Sequence, residues 1–271
     1  QDQRIQLLLI GFVFNAFLEG AAGFGVPIAI CAVLLTQMGF KPLEAAMYCL
    51  VGNAAAGAYG AVGIPVAIVD TLNLSGDVSA TEVALIGNLT LGFISFFVPF
   101  LLIFMIDGLK GIKETLPSIL VVSVTYTFLQ VTITSFAGPE LADIIPGLVA
   151  MVALALFSSK FQPKNIFRLQ QNEEPKRVAK HSFKDIVYAW SPFIILTVIV
   201  LIWSSSFFKG LFEKKGLLHS LVINFNVPGT MNDVTHAPNV LTFNFIAQTG
   251  TAILITAILT IIIANNMNFT I

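Results

Sequence analysis

Charge is what this sequence has least of. Asp, Glu, Lys and Arg make up 11% of its 271 residues, against roughly 25% in a soluble globular domain, which excludes that class. The net charge of −1 carries no basic surplus, so nothing points to nucleic acid as a partner. Two cysteines, Cys31 and Cys49, lie inside apolar segments and form neither a CxxC pair nor a disulfide framework, so they say nothing of redox compartment. There is no HExxH, no GxSxG, no P-loop and no close pair of carboxylates within an apolar segment. No metal or cofactor motif is present, and no cofactor is expected. A cleavable signal peptide is also missing, since "QDQR" runs straight into a span-length apolar segment. The chain lacks an initiator methionine and ends in "NNMNFTI" just after an apolar segment, so a fragment is expected.

What is present is apolar. Hydrophobic residues make up 56% of the chain, with a mean hydropathy of +0.87. Apolar segments fall at about 5–40, 42–69, 84–106, 117–137, 141–158, 186–206 and 245–264. About 20 such residues cross the hydrocarbon core as a helix. The expected fold class is an all-α polytopic membrane protein of about seven to eight transmembrane segments, some of them Gly/Pro-broken or re-entrant helices. It forms one transport domain over 1–271, expected to be incomplete.

Basic residues orient the spans, because Lys and Arg collect on the cytoplasmic side. The stretch 159–185 holds seven of the fourteen: Lys160, Lys164, Arg168, Lys176, Arg177, Lys180 and Lys184. It is assigned as a cytoplasmic basic loop. The loop 107–116, two crossings earlier, carries Lys110 and Lys113, whereas the outer loops 70–83 and 138–140 carry no basic residue. The loop 207–244 is assigned as extracytoplasmic despite Lys209, Lys214 and Lys215, since the charge rule weakens in long loops. His219 and His236 belong to it, with no sign of a metal site. The sequons at Asn88 and Asn268 fall in or beside spans and are chance matches.

The segment 5–40 is too long for one straight helix and short for two full crossings. Two crossings, or a helix followed by a re-entrant half-helix, place both Arg4 and Lys41 inside. The break is expected near "GAAGFGVP". The next segment repeats the theme in "GNAAAGAYGAVGIP", residues 52–65. Paired Gly/Pro-interrupted apolar segments are the sequence pointer to a transporter's binding site.

Glu19, the sole charge within 5–40, is the leading candidate. An ionisable side chain inside a span is costly and by default functional. Burial favours the neutral form of a carboxyl, which suits reversible protonation. The competing reading is a neutral carboxyl that merely secures a helix break. Gly20, Gly23 and Gly25 either expose backbone N–H groups to an anion at a helix start or permit close helix packing. Asn53 either binds ligand or ties two helices together, with the structural reading ahead. Ser123, Thr127, Gln130 and Thr134 share one helical face. A helix–helix seam is favoured over an aqueous lining, with Gln130 kept as a candidate ligand side chain. Glu140 and Asp143 in "GPELADIIP" read as a solvated outer loop, with a gate or anion-repelling mouth as the alternative. No Lys or Arg lies inside any apolar segment. An anionic substrate would therefore meet helix N-termini, backbone N–H groups, a co-transported proton or residues outside this chain.

The strings "FLEGAAGFGVPIAI" with "GAYGAVGIP", "TLPSILVV…TSFAGPELADIIPGLVA", "AWSPFIILTV" and "TFNFIAQTGTAILI" together resemble the bacterial L-lactate permease family, in order, over nearly the whole chain. The resemblance implies a multi-pass plasma-membrane secondary transporter that takes up L-lactate, and glycolate, with a proton. Family members are about twice as long, so an internal piece is implied. The family pattern has Thr where Val26 stands, and Asn-Thr-Ala-Pro where this chain has Asn53-Ala54-Ala55-Ala56. These departures bear on substrate range and activity. Under this resemblance Glu19 couples the proton to the anion, and the glycine backbone at 20–25 supplies further donors. The competing classes are an intramembrane enzyme, a channel or partner subunit, and an inactive product of a truncated gene.

Overall fold

The computed structural model describes residues 2–23, 25–71, 78–163, 165–169, 182–212, 216–231 and 238–265. Parts of both expected loops fall outside them, including Lys164, Lys176, Arg177, Lys180, Lys214, Lys215, His236 and the sequon at 268–270. The chain divides into one unit of residues 1–73 and 78–179 and another of 74–77 and 180–271.

In the first unit, helix α1 (Gln3–Ala21) opens on Asp2, whose side chain accepts from the Arg4 N–H. Its middle, Leu7–Phe14, widens to the i→i+5 bonding of a π-helix. After the break, α2 (Val26–Gln37) starts from Gly25, at φ 81°, with Pro27 in its first turn. It stops at Gly39 (φ 95°), the left-handed residue that closes a helix C-terminus. Gln3 Nε2 donates to Met38 O at 2.9 Å, so α2 returns to the end from which α1 started. At 1.5 Å per residue α1 spans about 28 Å and α2 about 18 Å. The segment 5–40 is thus a full-length helix followed by a shorter return helix, with the break at 22–25 as expected.

α3 (Pro42–Gly52) and α4 (Ala56–Asp70) form the second broken pair, bent by 62°. The break needs no proline: Asn53, Ala54 and Ala55 form turns between the two helices. α5 (Ala80–Phe136) begins with a capping box between Ser79 and Glu82. It is two helices, because Gly108 (φ 61°) breaks it and the halves fold back on one another. Ser95 meets Gln130 at 2.6 Å and Asn88 meets Thr134, which pairs the halves antiparallel. The separate apolar segments 84–106 and 117–137 are recovered in this hairpin. α6 (Pro139–Lys160) completes the unit.

One end of this unit is held by Arg4, only 1% exposed. Its guanidinium lies 2.7 Å from Asp2, Asp107 and Glu114 alike, and donates to Asn165 O at 2.7 Å. The start of α1, the turn of α5 and the chain beyond α6 therefore share one end. These are the regions expected on a common side from their basic residues.

The surface is more apolar than that of a soluble domain, and several polar side chains are buried. Ser95, Ser118, Ser123, Gln130 and Thr134 are fully buried, while Leu89, Phe93, Phe128 and Phe136 are exposed. An apolar exterior over a core that also takes in polar side chains suits lipid as solvent. By length and composition Gln3–Ala21, Ala80–Phe136 and Pro139–Lys160 can cross a membrane, as can the bent α3–α4 pair taken together.

In the second unit, α7 (Phe183–Ser204) and α8 (Ser206–Gly210) precede a two-stranded antiparallel hairpin of β1 (Ile223–Met231) and β2 (Pro238–Phe243). α9 (Thr249–Asn265) follows, and Trp203 Nε1 donates to Ile246 O at 2.9 Å. The hairpin corrects the all-α expectation: the chain is mostly helical but not wholly so. The signal was the period-2 alternation Ile223-Asn224-Phe225-Asn226-Val227, which suits a strand with two unlike faces.

Candidate functional site

Three breaks in the chain meet in the first unit: 22–25 after α1, 53–63 from the end of α3 into α4, and 137–143 across the start of α6. Glycines mark each meeting. A Cβ on Gly23 would lie 2.7 Å from Ala61 N, and one on Gly20 would lie 2.9 Å from Asp143 Cβ and Ile144 N. A Cβ on Gly63 would strike the Pro139 carbonyl. Gly147 lets α6 approach α1, where its Cβ would fall 2.8 Å from that of Phe17. Gly23 (φ 56°) and Gly63 (φ 64°) also hold the left-handed backbone that other residues resist. Val62, buried at φ 50°, holds it without that freedom, and such strain survives only where the surroundings impose it.

The side chains at this junction are polar and buried. Glu19, 5% exposed, accepts from Asn53 Nδ2 at 3.0 Å. Asp143, 1% exposed, accepts on Oδ1 from Tyr126 OH at 2.7 Å and from Gln130 Nε2 at 3.0 Å. The Gln130 amide is oriented by Ser95 OH, which donates to Oε1 at 2.6 Å. Beside it, Tyr59 OH donates to Asn88 Oδ1 at 2.6 Å, Asn88 Nδ2 donates to Thr134, and Thr134 donates to Gln130 O at 2.7 Å. Asn15 ties α1 to α3 by donating to Cys49 O at 2.7 Å, where Gly52 packs onto the Gly11 carbonyl.

Several buried acceptors end in nothing. Asp143 Oδ2, Asn53 Oδ1, Asn15 Oδ1, Ser123 Oγ and Thr127 Oγ1 have no hydrogen-bond partner among the described residues. Buried polar groups are ordinarily paired, with water or ligand where protein is lacking. Among the described residues no ion pair involves Glu19 or Asp143, and no group of His, Cys, Asp or Glu is arranged to hold a metal.

The structure joins Glu19 to Asn53 directly and places Gly20 and Gly23 at the same junction, where both serve close packing. Gly25 stands at the start of α2 with open space where a Cβ would go. Gln130 joins the cluster through Asp143. Its face of α5 is a hydrogen-bonding seam at Gln130 and Thr134, but leaves the hydroxyls of Ser123 and Thr127 unsatisfied.

One expectation is corrected. Glu140 and Asp143 are not solvated: both are buried, because Gly63 and Gly20 let neighbouring backbones close over them. Folding also brings Asp143 against Gly20, the residue next to Glu19. Asp143, Tyr126, Tyr59, Asn88 and Ser95 were missed as site residues. The available signal for Asp143 was a lone acid at the head of the apolar run "IIPGLVA".

Residues 1–269 match the family model for L-lactate permease. The L-lactate permease of Halalkalibacterium halodurans is 56% identical over 261 residues, 96% of this chain and 48% of that protein. The glycolate permease of Escherichia coli K12 is 42% identical over 288 residues, covering 97% of this chain and 50% of the relative. The L-lactate permease of the same strain is 40% identical over 279 residues, 96% and 50% respectively. No solved structure matches. These relatives are named as permeases rather than enzymes, and the chain spans about half their length. A helical, lipid-suited molecule with broken helices meeting at a buried polar centre, matched over 1–269, is an integral membrane protein that belongs to the L-lactate permease family.

Proposed function

We propose that this chain takes part in secondary active uptake of L-lactate and glycolate by proton symport across the bacterial plasma membrane. The observation that carries the reading is the buried Glu19–Asn53 pair, 3.0 Å apart, at the junction of two broken helices. In this reading the chain crosses the membrane seven or eight times, and the end held by Arg4 faces the cytoplasm with the basic loop 159–185. The loop 207–244 lies outside.

Glu19 is the proton-coupling group. Ionised, it repels the substrate carboxylate; protonated, it no longer repels and can donate a hydrogen bond to it. Asn53 holds the carboxyl in place with one amide end and offers its unpartnered Oδ1 to the ligand. Gly25, at the N-terminus of α2, exposes backbone N–H groups to a carboxylate, while Gly20 and Gly23 bring the backbone to the site. Gln130 orients Asp143 and lines the same centre. One proton per monocarboxylate makes the loaded step electroneutral, whereas the anion alone would face about 2.3 kcal/mol per 100 mV.

The test is uptake of labelled L-lactate by proteoliposomes holding the chain, with and without an inward proton gradient. Uphill accumulation of unchanged lactate supports symport. Chemical conversion supports an enzyme, and flux that neither saturates nor runs uphill supports a channel; either result refutes the reading.

A further inference from the structure

We propose that Asp143 is a second proton-carrying carboxyl of this site, with its proton on Oδ2. The inference deepens the transport reading and rests on it for the use of the proton, while the position of the proton rests on geometry.

Asp143 is 1% exposed, and its two oxygens are treated differently. Oδ1 accepts two hydrogen bonds, from Tyr126 OH at 2.7 Å and Gln130 Nε2 at 3.0 Å. Oδ2 is buried and accepts none. Oδ1 thus has the surroundings of a carbonyl oxygen, and Oδ2 those of a hydroxyl still lacking an acceptor. An ionised carboxylate here would leave half its charge on an unsolvated oxygen, a costly arrangement in hydrocarbon.

Among the described residues, the groups facing Asp143 offer no counter-charge. From α5 come Tyr126 and Gln130; from α4, Tyr59; from α1, Glu19, beyond the Gly20 contact. Glu140, on its own element, turns back over Gly138. Every ionisable neighbour is therefore an acid or a phenol. Two carboxylates ionised together beside an incoming anion would place three negative charges in one buried centre. A proton on Asp143 removes one of these charges. Burial with no counter-charge favours the neutral acid at Asp143, while the two donors on Oδ1 orient the carboxyl and leave Oδ2 for the proton. Glu19 is then left free to exchange its proton with the transport cycle, and Oδ2–H of Asp143 is a donor for the substrate carboxylate.

Infrared spectroscopy reads this proton without substrate, through the C=O stretch of a protonated carboxyl. The intact chain, purified at neutral pH, is compared with D143N, E19Q and Y126F, each checked by its melting temperature. The expected result is a protonated-carboxyl band in wild type and E19Q that is absent from D143N. Y126F removes one donor to Oδ1 and shifts the same band to higher frequency, so it decides the question even where D143N fails to fold. A band absent from wild type, or unchanged in D143N, overturns the proposal, as does a band that Y126F leaves in place. Failure of the Glu19 reading shows elsewhere: E19Q that keeps its gradient-driven uptake refutes that reading and leaves the Asp143 band untouched.

Discussion

Asn53 Nδ2 donates to Glu19 Oε2 across 3.0 Å, joining the residue that follows α3 to the last turn of α1. The bond spans 34 positions of sequence and links the two Gly/Pro-broken segments at their breaks. Asn53→Ala removes it and leaves Glu19 without its amide. The expected outcome is a loss of stability of about 1 kcal/mol, since interhelical hydrogen bonds in membranes contribute about that much. Lactate uptake should fall at least about tenfold, the equivalent of about 1.4 kcal/mol. Thermal melting and uptake on the same preparation check both.

The glycines of the junction are not equivalent. Gly63→Ala forces a Cβ onto the Pro139 carbonyl and into a left-handed backbone, φ 64°. Gly25→Ala meets the same backbone cost, φ 81°, with open space around it. That cost is about 1–2 kcal/mol per residue. Gly25→Ala should lose about that much, and Gly63→Ala clearly more; ranked melting temperatures test the order.

Arg4 serves three carboxylates at one end of the unit. Arg4→Gln leaves them facing one another and should cost about 3–5 kcal/mol, as breaking a buried ion pair does. Glu114→Gln removes a partly solvated partner and should cost less. Denaturation in detergent compares the two.

The same cluster responds to pH. Hydrogen bonding to Arg4 holds the Glu114 carboxyl, in the turn of α5 outside the apolar segments, below its ordinary range. A carboxyl depressed in the folded state adds stability above its unfolded-state pKa. That contribution is lost as pH falls through the folded value. Wild type should therefore lose melting temperature on acidification, and Glu114→Gln should lose less over the same range.

Much of this was legible in residues and spacing. Glu19 stood out because a lone acid in an apolar run has few bland explanations, and the breaks at 22–25 and 53–55 followed from clustered glycines ahead of proline. The shorter return of α2 was one of two options, decided by the hydrogen bond from Gln3 to Met38. Asp143 was misread because proline and glycine beside an acid ordinarily mark a solvated turn. Its burial depends on Gly20 and Gly63, far away in sequence, which allow two other breaks to close over it. Pairing of Ser95 with Gln130 likewise required knowing that α5 turns at Gly108. The strands at 223–243 were missed because a long loop was assigned by its place between spans rather than by its own period-2 pattern.

The central claim is that Glu19 couples proton to substrate. Its most direct test compares wild type and Glu19→Gln in the same proteoliposomes, measuring gradient-driven accumulation of labelled L-lactate beside lactate counterflow without a gradient. The account predicts that Glu19→Gln loses accumulation at least about tenfold, about 1.4 kcal/mol of coupling, yet keeps counterflow, since the amide mimics the protonated acid. Accumulation by Glu19→Gln that still follows the proton gradient as wild type does would contradict it.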